Sequence, residues 1–371
     1  MYSVQIPFHG RFPENYCSNL VILTGNGECK HRKHFTFAVR HERSRSPINS
    51  VTLLVIFIIS AILSVFAATQ LSKYANIISH KAKLGGFLAG TLLLSIATSL
   101  PELTATISAS VIGNADIVIG NGVGSILFNM FVLFLLDVHF RKKRLFLTVS
   151  HNHLYTGYLA LFLCVLITLG LGFDFDVSLF ELGFTSLALV TVYLVGMKFL
   201  SGSPQEEDKP DPVTTSGLGS AIRRFLLFAV IIFITGSSLS VTGDAISRET
   251  AISATAVGSL MIALATSLPD AASVYTALRL SNMNLAVGTL LGSNAFNITI
   301  LAAGDFFYPG GNMWQAASDD LLYLSIIGFL LTTIVMVTIK RDRTRNMWTY
   351  LLPSSLALAS YVAVVGYILT S

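Results

Sequence analysis

Charged side chains are scarce in this sequence. Asp, Glu, Lys and Arg supply 12% of its 371 residues and apolar types 53%, with a mean hydropathy of +0.69. Soluble domains carry about 25% charged residues, so a water-solvated globule is excluded and a chain embedded in lipid is indicated. Cysteine is nearly absent too. Cys17, Cys29 and Cys164 have no ligand spacing, which excludes a thiolate metal centre and a disulfide framework. A Cys17–Cys29 bridge stays open, whereas Cys164, in an apolar run, reads as a small core residue. The eight histidines lie mainly in the first 48 residues and in loops. His151 and His153 fall in a basic loop and read as solvated, so an intramembrane Ser–His or paired-Asp enzyme finds no machinery here. Tryptophan occurs only at Trp314 and Trp348, which flank apolar segments as interfacial anchors do. The net charge of +4 gives no nucleic-acid surface; Arg141–Arg144 reads as a topology determinant or a lipid-headgroup contact.

What the sequence does contain is a series of long apolar runs. Residues 1–48 are polar, lack the apolar core of a secretory signal, and read as a flexible extension. Ten hydrophobic segments follow, at about 51–72, 84–111, 117–137, 154–172, 178–200, 222–242, 250–278, 285–308, 320–340 and 347–370. Each approaches the roughly 20 residues a spanning helix needs. Basic residues crowd alternate loops (Lys73 to Lys83, Arg141 to Arg144, Lys209 to Arg224, Arg279, Lys340 to Arg345), and acids dominate the loops between. This alternation predicts ten spans with both termini outside and the basic loops in the cytoplasm. The basic N-terminal extension is the exception to that rule.

Two of these runs repeat. Ser95–Asn129 carries ATSLPE, then G-x-x-x-GS and FN; Ala263–Asn297 carries ATSLPD, then the same pattern. Thr98 and Thr266, Pro101 and Pro269, Ser125 and Ser293, and Asn129 and Asn297 all stand 168 residues apart. Laid without a gap, residues 90–133 and 258–301 share 15 of 44 positions. Shared apolar composition alone does not keep polar residues in register, so this is an internal repeat. The alternation of loop charge sends the two copies through the membrane in opposite directions. The expected organisation is an extension (1–48), a first five-helix half (49–200), a cytoplasmic linker (201–221) and a second half (222–371). The fold class is thus an all-α polytopic membrane protein of two inverted repeats.

Each copy holds what a spanning helix avoids: a mid-helix proline followed by Glu102 or Asp270. A carboxylate at mid-membrane costs about 2.5–3.5 kcal/mol on insertion scales, so such groups face a polar interior and mark functional sites. Thr98 and Ser99 lie four and three residues before Glu102, on the same helix face; Thr266 and Ser267 stand likewise to Asp270. Pro101 and Pro269 free carbonyls about a turn earlier, at 95–97 and 263–265. Ser125 with Asn129, and Ser293 with Asn297, add hydroxyls and amides. All are hard oxygen ligands suited to Ca²⁺. A soft metal requires His or Cys, and an organic anion requires the Lys or Arg that these helices lack. Gly85–Gly86 and Gly120/Gly122/Gly124 read either as points of helix sliding or as close packing. Asn297-Ile-Thr299 matches a glycosylation sequon but falls inside a span, where it stays unused.

TSLPE and TSLPD, each followed by GS-x-x-FN, resemble the paired α-repeats of the cation/Ca²⁺ antiporter superfamily, in particular the Na⁺/Ca²⁺ exchangers. The resemblance extends over nearly all of residues 50–371. It implies a multi-pass antiporter, not an enzyme, in a cell membrane, with Ca²⁺ and Na⁺ as cargo and no cofactor. It implies Glu102 and Asp270 as central Ca²⁺ ligands, with Thr98, Ser99, Thr266, Ser267, Ser125, Ser293, Asn129 and Asn297 sharing the ion sites. Asn121, facing Thr289 in the other copy, is the weaker candidate. Asn297, where K⁺-dependent relatives carry Asp, argues against a K⁺ requirement. The short linker leaves no room for cytosolic Ca²⁺-sensing domains. A H⁺/Ca²⁺ exchanger shares the same plan and stays open, as does a cation channel, although channels favour rotational symmetry over inverted copies. Oligomeric state is not readable.

Overall fold

The computed structural model describes residues 4–5, 36–37, 49–81, 97–173, 178–179, 182–200, 217–341, 344 and 346–370. The chain separates into residues 1–46 and 47–371. In the first unit, Val4–Gln5 (β1) pairs antiparallel with Thr36–Phe37 (β2). The rest of that extension, a Cys17–Cys29 bridge, Gly85–Gly86 and the linker at 201–216 lie outside the described residues.

The second unit is helical. Its long elements are α1 (Ser50–Lys81), α2 (Leu100–Ile112), α3 (Ala115–His139), α4 (His153–Gly172), α5 (Phe184–Leu200), α6 (Leu218–Glu249), α7 (Ala254–Arg279), α8 (Met283–Phe307), α9 (Asp320–Ile339) and α10 (Met347–Thr370). Among the described residues eight helices are long and apolar enough to cross a membrane; α2 and α5 are shorter apolar helices. The expected segment 84–111 is described only from residue 97 on. Ala97 and Thr98 are helical, the chain bends at Ser99 (φ −97°, ψ 10°), and α2 starts at Leu100. Pro101 has no N–H to give Ala97 one turn back, which releases the helix there. The expected helix at 178–200 is also corrected. Ser178–Leu179 and Leu182–Gly183 pair as a short hairpin, and helix begins only at Phe184.

At Pro269 the second half behaves differently. There α7 runs on unbroken, but Val257–Ile262 ahead of the proline is wound as a π-helix. This wide turn crosses α3 where α3 is thinnest. A Cβ on Gly120 would lie 3.1 Å from the Ser259 amide nitrogen, and one on Gly124 would overlap the Ser259 backbone. These glycines therefore serve close packing.

The 168-residue register extends into backbone geometry. Gly113 (φ +82°) and Ser281 (φ +62°) both turn in the left-handed region. Asn114 then caps α3 by accepting from the Ile117 amide at 3.1 Å, and Asn282 caps α8 from the Leu285 amide at 3.0 Å. Contacts between the halves come in matched pairs. The Ser318 amide donates to Asp116 at 2.7 Å, and the Ser150 amide donates to Asn284 at 2.8 Å. Exchanging the halves turns one bond into the other. Gly113, at the start of α3, lies against Pro309 just beyond α8. Lys143, just past α3, donates to the Leu278 carbonyl and to Ser281 Oγ ahead of α8. Hence α3 and α8 run antiparallel. Both are largely buried at the centre; α1 and α6 pack along each other, as do α4 and α9, while α10 lies against α3 and α5 against α8.

Two further expectations change. Trp314 is no interfacial anchor: it is buried, with its indole N–H donating to Ser186 Oγ at 2.8 Å. Its segment folds back as a single turn, Met313–Ala316, which carries the ring inward. Trp348 is 84% exposed, as an anchor requires. His153 starts α4 half-buried against Gly288 instead of lying in solvent, while His151 is exposed. Cys164 is a free, buried cysteine.

Candidate cation site

The four helices that carry the repeat meet at the centre of the second unit. Glu102 on α2 and Asp270 on α7 are 2% and 0% exposed. Ser267, one turn before Asp270, donates its hydroxyl to Glu102 Oε1 at 3.2 Å, a bond between α7 and α2. Asp270 accepts from Ser293 Oγ on α8, and the Asn129 amide of α3 donates to Asn294 of α8 at 2.9 Å. The two carboxylates lie within electrostatic reach of each other.

Hydrogen bonds join Glu102, Asp270, Ser267, Ser293, Thr266 and Asn129 to neighbours in the repeat helices; the other expected residues are placed by burial alone. Ser99, Ser125, Asn129, Thr266, Ser267 and Asn297 are at most 1% exposed and Ser293 is 7% exposed. Thr98 is half-buried beside the bend. Two further residues belong here. Asn121, the weaker candidate on sequence, ties the halves together: its amide donates to Thr106 Oγ1 at 3.0 Å and towards the Glu102 carbonyl at 3.4 Å, and it accepts from Thr266 at 3.3 Å. The register discounts it, because Thr289 stands at the matching place. Asn294, missed on sequence, accepts from the Asn129 amide at 2.9 Å. Its mate is Ile126, so a search for repeated polar residues passes over it; its position beside Ser293 was the available signal.

Most of the unsatisfied buried polar atoms belong to the two copies of the repeat. Among the described residues, buried side-chain atoms without a hydrogen-bond partner include Glu102 Oε2, Asp270 Oδ1, Ser99 Oγ, Ser125 Oγ, Asn129 Oδ1, Asn294 Nδ2 and both amide atoms of Asn297. Buried polar groups are nearly always paired, and an uncompensated buried carboxylate is costlier still. Such a set is complementary to something absent, and oxygens dominate it. Among the described residues no three His, Cys, Asp or Glu side chains come together as a metal cluster. Two carboxylates with neutral oxygens are what a hard cation can both enter and leave.

This arrangement has relatives. The family model described as sodium/calcium exchanger protein matches residues 52–201 and again 220–370, one match in each half. The inner membrane protein YrbG of Escherichia coli is 28% identical over 290 residues, covering 74% of this chain and 87% of that protein. The solved H⁺/Ca²⁺ exchanger CAX superimposes with a TM-score of 0.58 at 12% identity, over 85% of this chain and 88% of that one. The sodium-calcium exchanger NCX_Mj superimposes with a TM-score of 0.53 at 19% identity, over 86% and 99%.

Proposed function

The chain belongs to the sodium/calcium exchanger protein family, and from that premise we propose that it is a secondary active antiporter exchanging Na⁺ for Ca²⁺ by alternating access. It is a multi-pass membrane protein of a transporter family, not of an enzyme family. The observation that carries the reading is the pair Glu102 and Asp270: both buried, linked through Ser267, which lies one turn before Asp270 and donates to Glu102, and each with one oxygen unpartnered. Two negative charges in a low-dielectric interior call for positive charge. One Ca²⁺ or two Na⁺ balance them, and a third Na⁺ leaves the loaded carrier positive and transport voltage-sensitive.

Architecture supports the same reading. Ten spans, counting the short α2 and α5, form two inverted five-helix halves, a plan that builds a midplane site from discontinuous helices. The paired contacts that interchange when the halves are exchanged, and antiparallel α3 and α8, support inversion. Both termini lie outside in this topology. Glu102 and Asp270 are the central Ca²⁺ ligands, with Thr98, Ser99, Thr266, Ser267, Ser125, Asn129, Ser293 and Asn297 around them. An amide at Asn297 supports K⁺ independence over a K⁺-dependent exchanger.

The test is ⁴⁵Ca²⁺ uptake into proteoliposomes driven by an outward Na⁺ gradient. Wild type accumulates Ca²⁺; Glu102→Gln and Asp270→Asn do not, and full activity in either variant overturns the assignment. The second reading is H⁺/Ca²⁺ exchange, favoured by the likeness to CAX and by carboxylate oxygens free to take a proton. Uptake driven by a pH gradient, and not by Na⁺, would replace the first reading with the second.

A further inference from the structure

We infer that Asn294 is a positioning residue of the transport site: it fixes Asn129 so that the Asn129 amide oxygen, not its nitrogen, is presented to the cation. The inference rests on the cation-exchange reading and deepens it.

An asparagine side chain is ambiguous towards a cation. Its oxygen is a ligand and its NH₂ group repels, and the two exchange by a half-turn of the terminal torsion. At Asn129 that ambiguity is removed. The amide nitrogen donates to Asn294 Oδ1 at 2.9 Å. With that nitrogen engaged, Asn129 leaves Oδ1 as its open atom, buried without a partner, and Asp270 Oδ1 is likewise unpartnered. With Asn294 in place, turning the Asn129 amide over would bring its oxygen against Asn294 Oδ1, acceptor facing acceptor.

The other half has no such device. Asn297 matches Asn129 in the register, but Ile126 stands where Asn294 would be needed, and both amide atoms of Asn297 are without a partner. Isoleucine offers no acceptor. The two amides are therefore inequivalent: Asn129 is preset as a ligand, and Asn297 must orient when the ion arrives. Preorganisation of this kind lowers the cost of binding, and loss of a partner that orients a ligand typically weakens metal affinity about 10–100-fold.

A double-mutant cycle reads this out. The half-saturating Ca²⁺ concentration and the maximal rate of gradient-driven ⁴⁵Ca²⁺ uptake are measured for wild type, Asn129→Ala, Asn294→Ile and the double variant. Asn294→Ala replaces Asn294→Ile if the latter is not monodisperse after purification. Expected is an about tenfold or greater rise in half-saturation for each single variant, little change in maximal rate, and a double variant no worse than Asn129→Ala alone. A purely packing role predicts independent, multiplying losses, and that outcome overturns the inference while leaving the exchanger reading intact. Unchanged half-saturation in both Asn294 variants overturns it as well. Wild-type vesicles that accumulate Ca²⁺ under neither a Na⁺ nor a pH gradient sink the exchanger reading, and the inference falls with it.

Discussion

Asp137 and Asp305 stand at matching places near the ends of α3 and α8, and each bonds the opposite half, Asp137 on its last helix and Asp305 just ahead of its last helix. Asp137 accepts from Tyr350 and from Ser354 Oγ at 2.7 Å, both on α10. Asp305 accepts from the Gly183 amide at 2.8 Å, just ahead of α5, and from the Met313 amide at 3.3 Å. Both carboxylates are at most 1% exposed. The halves are thus latched reciprocally, at a distance in sequence from the residues that meet the cargo.

Removing a latch is expected to cost stability without altering which ions are exchanged. Asp137→Ala strands the buried hydroxyls of Tyr350 and Ser354, at about 1–3 kcal/mol for each unsatisfied group. Thermal melting of the purified protein falls, while half-saturation for Ca²⁺ in whatever folded protein remains is unchanged. A selective shift in ion affinity would show that Asp137 belongs to the site.

Gly124 and Gly292 match in the register yet are expected to respond oppositely to a methyl group. A Cβ on Gly124 would overlap the Ser259 backbone, whereas nothing lies within 4 Å of one on Gly292. Gly124→Ala overpacks a helix crossing and costs about 1–3 kcal/mol. Gly292→Ala is neutral or stabilising by up to about 1 kcal/mol, from helix propensity. Melting curves of the two variants, side by side, decide the matter; equal losses would refute the packing given for α3.

Asn121→Ala is expected to cut exchange about 10–100-fold, as losses of supporting polar partners commonly do. The substitution removes the bridge from Thr266 to Thr106 and to the Glu102 carbonyl. Asn121→Thr, which installs the residue of the other copy, keeps one hydroxyl and recovers only part of the rate. Initial rates of Na⁺-driven Ca²⁺ uptake check both, and wild-type rates in Asn121→Ala would remove it from the site.

Cation removal tests the unpartnered oxygens directly. Ca²⁺ at a hundred times its dissociation constant stabilises a protein that binds it only when folded by about 2.7 kcal/mol. Melting temperature is expected to rise with Ca²⁺, to fall back on chelation, and to be insensitive in the Glu102→Gln/Asp270→Asn double variant. A Ca²⁺ response that survives in the double variant places the cation elsewhere.

Much of this site was legible in sequence because lipid makes polar residues conspicuous. Glu102, Asp270 and the hydroxyls beside them stand out from apolar runs, and their recurrence 168 residues later separates them from chance. Residues that break the repeat were not legible in that way. Asn121 and Asn294 face Thr289 and Ile126, so the signal that found the ligands hid their supports. Asp137 and Asp305 do repeat, but near segment ends, where acids commonly face water. Trp314 reads as an anchor until the chain turns back on itself and buries it.

Sequence by itself determined that the chain is membrane-embedded and duplicated, and that each copy carries an acid directly after a proline among oxygen-bearing side chains, because hydropathy, register and side-chain type are local properties. Tertiary structure alone decided where the two copies differ: a bend at Ser99 against an unbroken helix through Ser267, a crowded Gly124 against an open Gly292, a hydrogen-bonded Asn129 amide against an unpartnered Asn297. The physical reason is that equivalent residues in a duplicated chain have unlike neighbours in the other half. Packing and hydrogen bonding act between those neighbours, and a register written along one strand of sequence carries no record of them.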